Sequence, residues 1–258
     1  MASYRYPKGL DTEHPGPETR EVPTTADVIS SATSFPTGPH SNLVWRSDVD
    51  PLTLPAGGDF TASQRAILLA CLELFADIGY PGTSVRDIAA RVGIKSASLY
   101  KSFASKQAML DALSELGHDE FSRRQLAAVL SAGDDPRQQL AAGVRALVEV
   151  TCEFPRLTRI VNGEVRNLSP SGFQRDQSAR LYTARILADI LERGSEQGLF
   201  VEPDVAAVPL LLWGLAVALA AWFPYSPREV TVQGLSDSYS AIALRIVAAQ
   251  EEPTPHGR

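Results

Sequence analysis

The stretch from Thr83 to Phe103 constrains this chain most. It reads as two short helical patterns separated by one glycine. Val85, Ile88, Ala89 and Val92 fall at i, i+3, i+4 and i+7, which makes one apolar face. Thr83 or Ser84 is suited to cap this helix, and Asp87 places negative charge in its first turn. Gly93 stands where the chain must leave the helix through a left-handed backbone. A second helix is predicted from about Lys95 to Ser102, with Leu99 and Phe103 inward and Lys95, Ser96, Tyr100 and Lys101 outward. Two short helices, a glycine turn and a polar, cationic outer face describe a helix-turn-helix.

The flanking residues extend the pattern. Thr61-Ala-Ser-Gln64 reads as a capping box, followed by a strongly apolar helix from about Ala62 to Ile78 that braces the two short ones. Ser105 is placed to cap a fourth helix, with Lys106 in its first turn. The run Ala70, Leu74-Phe75-Ala76, Gly79-Tyr80, Gly82-Thr83-Ser84-Val85-Arg86-Asp87-Ile88-Ala89, Val92-Gly93-Ile94, Leu99-Tyr100, Phe103 and Ser105-Lys106 resembles the DNA-binding domain of TetR-family transcriptional regulators. That resemblance implies an all-α fold: an N-terminal three-helix domain with the helix-turn-helix, then a helical ligand-binding and dimerisation domain. It also implies a homodimer built on two late helices of each protomer, and a phosphate contact from Lys106. Lys101 and Ser102 depart from it, standing where the family often has an aromatic and a histidine. Lys95 stands where the family often caps the recognition helix with Ser or Thr. A changed base preference is expected.

Charge supports the same reading. The chain carries a formal charge of −6, yet Arg86, Arg91, Lys95, Lys101 and Lys106 lie within one short stretch against Asp87 alone. A local basic island on an acidic protein suits a DNA binder whose docking face alone attracts phosphate. The expected base-edge contacts are Ser96, Ala97 and Lys101. Thr83, Ser84, Tyr100 and Lys106 are the expected backbone contacts, with Lys95 as a further cation.

Residues 1–60 hold 8 of the 18 prolines and few apolar runs, so a mostly disordered arm is expected, with Asn42-Leu-Val-Trp-Arg46 as a short piece able to dock. With 4 basic against 8 acidic residues, this arm is not expected to bind DNA. The first thirty residues lack the apolar core of a signal sequence, and a cytoplasmic protein is expected. Cys71 and Cys152 suggest no disulfide framework, and Cys71 is expected to be a buried thiol. The four histidines have no metal-ligand spacing, and neither a phosphate loop nor a nucleophile neighbourhood stands out. The chain is therefore read as a non-enzyme without a cofactor.

Beyond the helix-turn-helix domain, taken as 61–117, everything reads as helical over 118–250, with 251–258 as a tail. Helices are expected at about Asp119–Ser131, Asp135–Glu153, Pro155–Asn167, Phe173–Gln197, Val205–Phe223 and Leu235–Gln250. Val205–Pro227 has no charged residue, so it could be a membrane anchor or a helix buried on all sides. Burial in a dimer is preferred over the alternative, a membrane-tethered or protein-binding helical adaptor. Phe121, Phe154, Phe173, Tyr182 and Trp213 are the candidate walls of a pocket for a small, largely apolar effector, although core packing competes for each. Arg156, Arg159 and Arg166 could meet an acidic ligand such as an acyl-coenzyme A, but a solvated face is preferred. The partners expected are double-stranded DNA, a second copy of the chain and the effector, with no membrane.

Overall fold

A computed structural model of the chain describes residues 52–201 and 204–248. The helices are α1 (Ala62–Ile78), α2 (Val85–Val92), α3 (Ser96–Ser102), α4 (Lys106–Ser131), α5 (Pro136–Glu153), α6 (Pro155–Gly163), α7 (Pro170–Glu196), α8 (Ala207–Trp222) and α9 (Val232–Val247). Short 3₁₀ turns follow α6 and α8. Among the described residues there is no sheet, only an antiparallel bridge between Phe200 and Ala248.

Local chemistry sets most helix ends. The Thr61 side chain accepts from the Gln64 amide, and the Gln64 side chain returns a bond to Thr61, which completes the capping box. Ser169 and Thr231 cap α7 and α9 in the same sense, and Pro170 fits the first turn of α7 because its missing N–H is an orphan there. α4 is one continuous helix. The expected junction at Gly117 and His118 therefore lies inside it, where a glycine serves proximity and not a break. A Cβ on Gly117 would stand 2.8 Å from Val161 Cγ2, so α6 crosses α4 at that point.

α5 is the central element, packed against α4, α7, α8 and α9. Leu140, Val144, Leu147 and Val150 give it a fully buried stripe. Cys71 and Cys152 are free and buried, and desolvation pushes both thiols up to about 12.

α8 is apolar and, with the turn after it, long enough to cross a membrane. It packs on α5 through Leu212, Ala216, Leu219 and Ala220, yet leaves Leu210, Leu211, Leu215 and Trp222 exposed. Burial on all sides is thus not reached within one chain. Ala207, Leu211, Gly214, Ala218 and Ala221 continue the same uncharged exposed stripe, and Ile242 and Ile246 do likewise on α9.

The segment before α1 is better ordered than its proline content suggests. Leu52, Leu54 and Phe60 pack against the core, and Pro55 is buried. Arg65 on α1 donates to the carbonyls of Gly57 (3.0 Å), Leu54 (3.5 Å) and Pro55. Residues 52–60, expected to belong to the disordered arm, are therefore held against the core. The piece 42–46 lies outside the described residues.

Candidate nucleic-acid interface and effector region

α2 and α3 owe their placement to α1. Ile88, Ala89 and Leu99 are buried against Leu68, Cys71 and Phe75 of that helix in one core. Ser84 Oγ accepts from the Asp87 amide at 3.2 Å, and the Asp87 carboxylate accepts from the Ser84 amide at 2.8 Å. These bonds hold the Asp87 carboxyl below its ordinary range. Gly93 takes φ +78°, and Ile94 N–H reaches back to Ala89 O at 2.9 Å, closing α2 with a left-handed cap. Lys95 stands at the start of α3 and makes no side-chain cap bond, as its type implies.

The outer face of α3 presents Ala97, Ser98, Tyr100 and Lys101, with Ser96 half-buried; Tyr100 is 53% exposed although aromatic. The basic island divides into two groups. Arg91 is held by Glu73 on α1, with Nε 2.5 Å and Nη2 2.8 Å from its carboxylate. Lys106 Nζ donates to the carbonyls of Tyr80 (2.7 Å) and Thr83 (2.8 Å) and stands 4.0 Å from the Tyr80 ring centroid. Arg86, Lys95 and Lys101 are exposed and form no ion pair with another described residue. Arg86, counted in the island but left out of the expected contacts, is likewise an exposed cation, on α2.

Thr83 requires a correction. It is 2% exposed and its hydroxyl donates to Gly79 O at 2.9 Å, so it stiffens the turn before α2 instead of facing solvent. Ser84, one residue on, keeps the exposed hydroxyl.

The expected pocket walls are only partly brought together. Phe121 on α4 and Trp213 on α8 meet with ring centroids 5.1 Å apart. Phe154 is buried at the α5–α6 corner, under the Arg124 guanidinium at 5.5 Å. Phe173 and Tyr182, on α7, are 46% and 50% exposed and do not join that wall. Nine residues apart, two and a half turns, they cannot share one face of a helix, and the packing of α7 on α4 and α5 selects Asp176, Thr183 and Leu187 as the inner face. The site beside Trp213 is a small cavity of about 90 Å³, lined among others by Leu147, Thr183, Leu187 and Pro209. Thr183 Oγ1 lies 3.3 Å from Ser122 Oγ. Gln125, one turn beyond Phe121, is fully buried with neither amide atom hydrogen-bonded to a described residue. Its sequence signal is a polar residue within an apolar face, which reads equally as solvent-exposed until the neighbouring helices are placed.

A buried polar network lies next to this region. Asp176 Oδ1 is 2.7 Å from His118 Nε2, and Asp176 Oδ2 accepts from Arg180 Nε at 2.8 Å. Arg180 also reaches Asn162 Oδ1 (2.8 Å) and Val161 O (3.2 Å) on α6. Burial opposes ionisation of Asp176, but the hydrogen bonds from His118 and Arg180 and their charge outweigh it and lower its pKa to about 2. This network joins α4, α6 and α7.

A braced helix-turn-helix with an outward cationic helix, set before a helical bundle with an uncovered apolar face, defines a DNA-binding regulator of the dimeric kind. Residues 67–113 match the family model of bacterial regulatory proteins of the tetR family, and residues 133–247 match that of the tetracyclin repressor-like C-terminal domain. The HTH-type transcriptional repressor KstR2 of Mycolicibacterium smegmatis is 32% identical over 188 residues, covering 71% of this chain and 90% of that one. Its namesake from Mycobacterium tuberculosis is 27% identical over 190 residues, covering 72% and 94%. The solved structure of the Mycobacterium tuberculosis KstR2 aligns with a TM-score of 0.67 over 76% of this chain and 100% of that one, at 27% identity. A structure of AibR in complex with isovaleryl coenzyme A and operator DNA aligns at 0.63, over 70% and 97%, at 25% identity. The chain belongs to the TetR family of transcriptional regulators.

Proposed function

We propose that this protein is a ligand-responsive transcriptional repressor, cytoplasmic, that binds a palindromic operator as a homodimer. The observation that carries this reading is the outward face of α3, held by α1, with Lys95 and Lys101 exposed and in no ion pair with another described residue. Two such helices related by a two-fold axis read successive major grooves when about 34–36 Å apart. Ser96, Ala97 and Lys101 are assigned to base edges, and Ser84, Tyr100 and Lys106 to the backbone, with Arg86 and Lys95 as added phosphate cations.

Lys101→Ala is expected to lose affinity and some discrimination between bases. Arg86→Ala, a phosphate change, is expected to weaken binding on every duplex and to lower the salt slope by about one unit. Lys106→Ala should do the same and also lower the melting temperature, because the Tyr80–Thr83 turn loses its clamp. Fluorescence anisotropy across a salt series reads all three; unchanged slopes for both Arg86→Ala and Lys106→Ala would remove their phosphate role. Selection of bound fragments from a random DNA pool tests the whole reading. A palindromic consensus is the expected result, and the absence of any enriched sequence would overturn it.

The effector is placed between α4, α5, α7 and α8, against Phe121 and Trp213, with Gln125, Ser122 and Thr183 as polar anchors. A cavity of about 90 Å³ is smaller than the roughly 300–1,000 Å³ of common ligand sites. A ligand must therefore part these helices to enter, and that gives it different affinities for the two arrangements of α4. α4 carries Lys106 at its first residue, so its displacement reaches the turn that precedes α2.

A further inference from the structure

A second cavity is larger than the apolar one. A groove of about 420 Å³ runs between α4 and α7 on the outside of the bundle. Its volume falls within the range of small-molecule sites. The groove has four carboxylates, Asp111, Glu115, Asp119 and Asp176, against one guanidinium, that of Arg175. Asp111 is occupied by Ser169, whose amide and hydroxyl both donate to it (3.0 and 2.6 Å), and Asp176 is occupied by His118 and Arg180. Glu115 meets Arg175 only at 3.8 Å, with both side chains half-exposed. Asp119 has no ion pair among the described residues.

A second, independent observation lies at the same place. Ser114 and His118, one turn apart on α4, line the groove and are 4% and 2% exposed. Ser114 Oγ and His118 Nδ1 are buried without a hydrogen-bond partner. An unpartnered hydroxyl and ring nitrogen beside two under-used carboxylates leave the groove with polar groups whose hydrogen bonds are unmade. Unmade hydrogen bonds of buried groups cost free energy, and a donor-rich occupant recovers it.

The geometry points to a binding site in the α4–α7 groove for a small organic cation bearing a primary ammonium or guanidinium group. The cationic end sits between Glu115 and Asp119 and donates toward the Ser114 hydroxyl. This site is distinct from the apolar cavity beside Trp213, which has Thr183 and Leu187 in its wall and shares none of the groove's residues. Because the groove is bounded by α4, its occupant acts on the same helix that clamps the turn before α2.

Agmatine and spermidine are suitable probes, with glutarate as the anionic counterpart, titrated calorimetrically into the full-length protein. The titration is made without DNA, so its result is independent of the operator reading. At about 0.15 M salt, where screening damps loose surface attraction, at least one of the amines is expected to saturate one site per protomer. A dissociation constant below about 1 mM is expected, and no binding of glutarate. The Glu115→Gln/Asp119→Asn double variant, changed only at exposed side chains, is expected to weaken binding at least about tenfold, a step of about 1.4 kcal/mol. Ser114→Ala should weaken it to a lesser degree. Absence of saturable binding by either amine overturns the proposal, since buried water then accounts for the unpartnered atoms. Binding that the double variant leaves unchanged overturns it too, since it would be diffuse counterion attraction to an acidic protein.

Discussion

A Leu211→Glu/Ile242→Glu variant is expected to be a folded monomer that binds operator DNA about 10²–10⁴-fold more weakly than the parent protein. Both residues lie on the exposed stripe of α8 and α9, at 50% and 42% exposure. Burying such a side chain stabilises an interface by roughly 1.5–3 kcal/mol. A glutamate at the same point must instead be desolvated without a partner. Neither side chain supports the core of its own chain, so the helices should remain. The loss on DNA follows from tethering: with two recognition helices linked, the second engages at high effective concentration, and a monomer forfeits that gain. Light scattering and anisotropy read the two effects. Leu130→Glu, on α4 and outside the stripe, is the matched control. A double variant that remains dimeric would show that the interface lies elsewhere.

The second large effect is expected inside the bundle. Asp176→Ala removes the acceptor shared by His118 and Arg180 and leaves a guanidinium partly buried beside α6. Breaking a buried pair from one side costs about 3–5 kcal/mol. For a chain of this size that is a fall in melting temperature on the order of 10 °C. Asp176→Asn, which keeps an acceptor, should fall less. The pH dependence has a definite sign. Asp176 titrates near pH 2 in the folded protein against an ordinary value of 3.8, so its charge stabilises the fold fully above about pH 4. That contribution, about 2 kcal/mol, is lost as the pH falls from about 4 to 2. Glu120, whose carboxyl burial would raise but Arg123 and Arg124 lower, adds in the same direction. Denaturant titrations at descending pH should show a steeper loss in the parent than in Asp176→Ala. Parallel losses would mean that this carboxylate is not the titrating group.

Much of the DNA-binding domain was legible because its signals are local. A capping box needs residues three apart, a left-handed stop needs one glycine, and an apolar face needs one short period. Thr61 with Gln64, Ser84 with Asp87, and Gly93 are each decided within a single turn of chain. The roles of the cations were not legible. Arg91 and Lys95 look alike in the sequence, yet Arg91 meets Glu73, 18 residues away, while Lys95 faces outward. Lys106 reads as a phosphate contact, but the fold also makes it the clamp of a turn 23 to 26 residues before it. Proline content pointed to a loose segment up to residue 60, whereas one guanidinium on α1 holds its last part.

The local pattern and the family resemblance it carries determined the all-α fold class, where the recognition helix lies and which late helix lacks a polar face. Those features depend on neighbours a few residues apart, whose geometry the helix itself dictates. Only the tertiary structure decided which face of α7 turns inward, that α4 runs unbroken past Gly117, and that His118, Asp176 and Arg180 share one buried site. Those outcomes depend on which helices cross and at what depth. Crossing geometry is set by the summed packing of many side chains, and no short segment carries it.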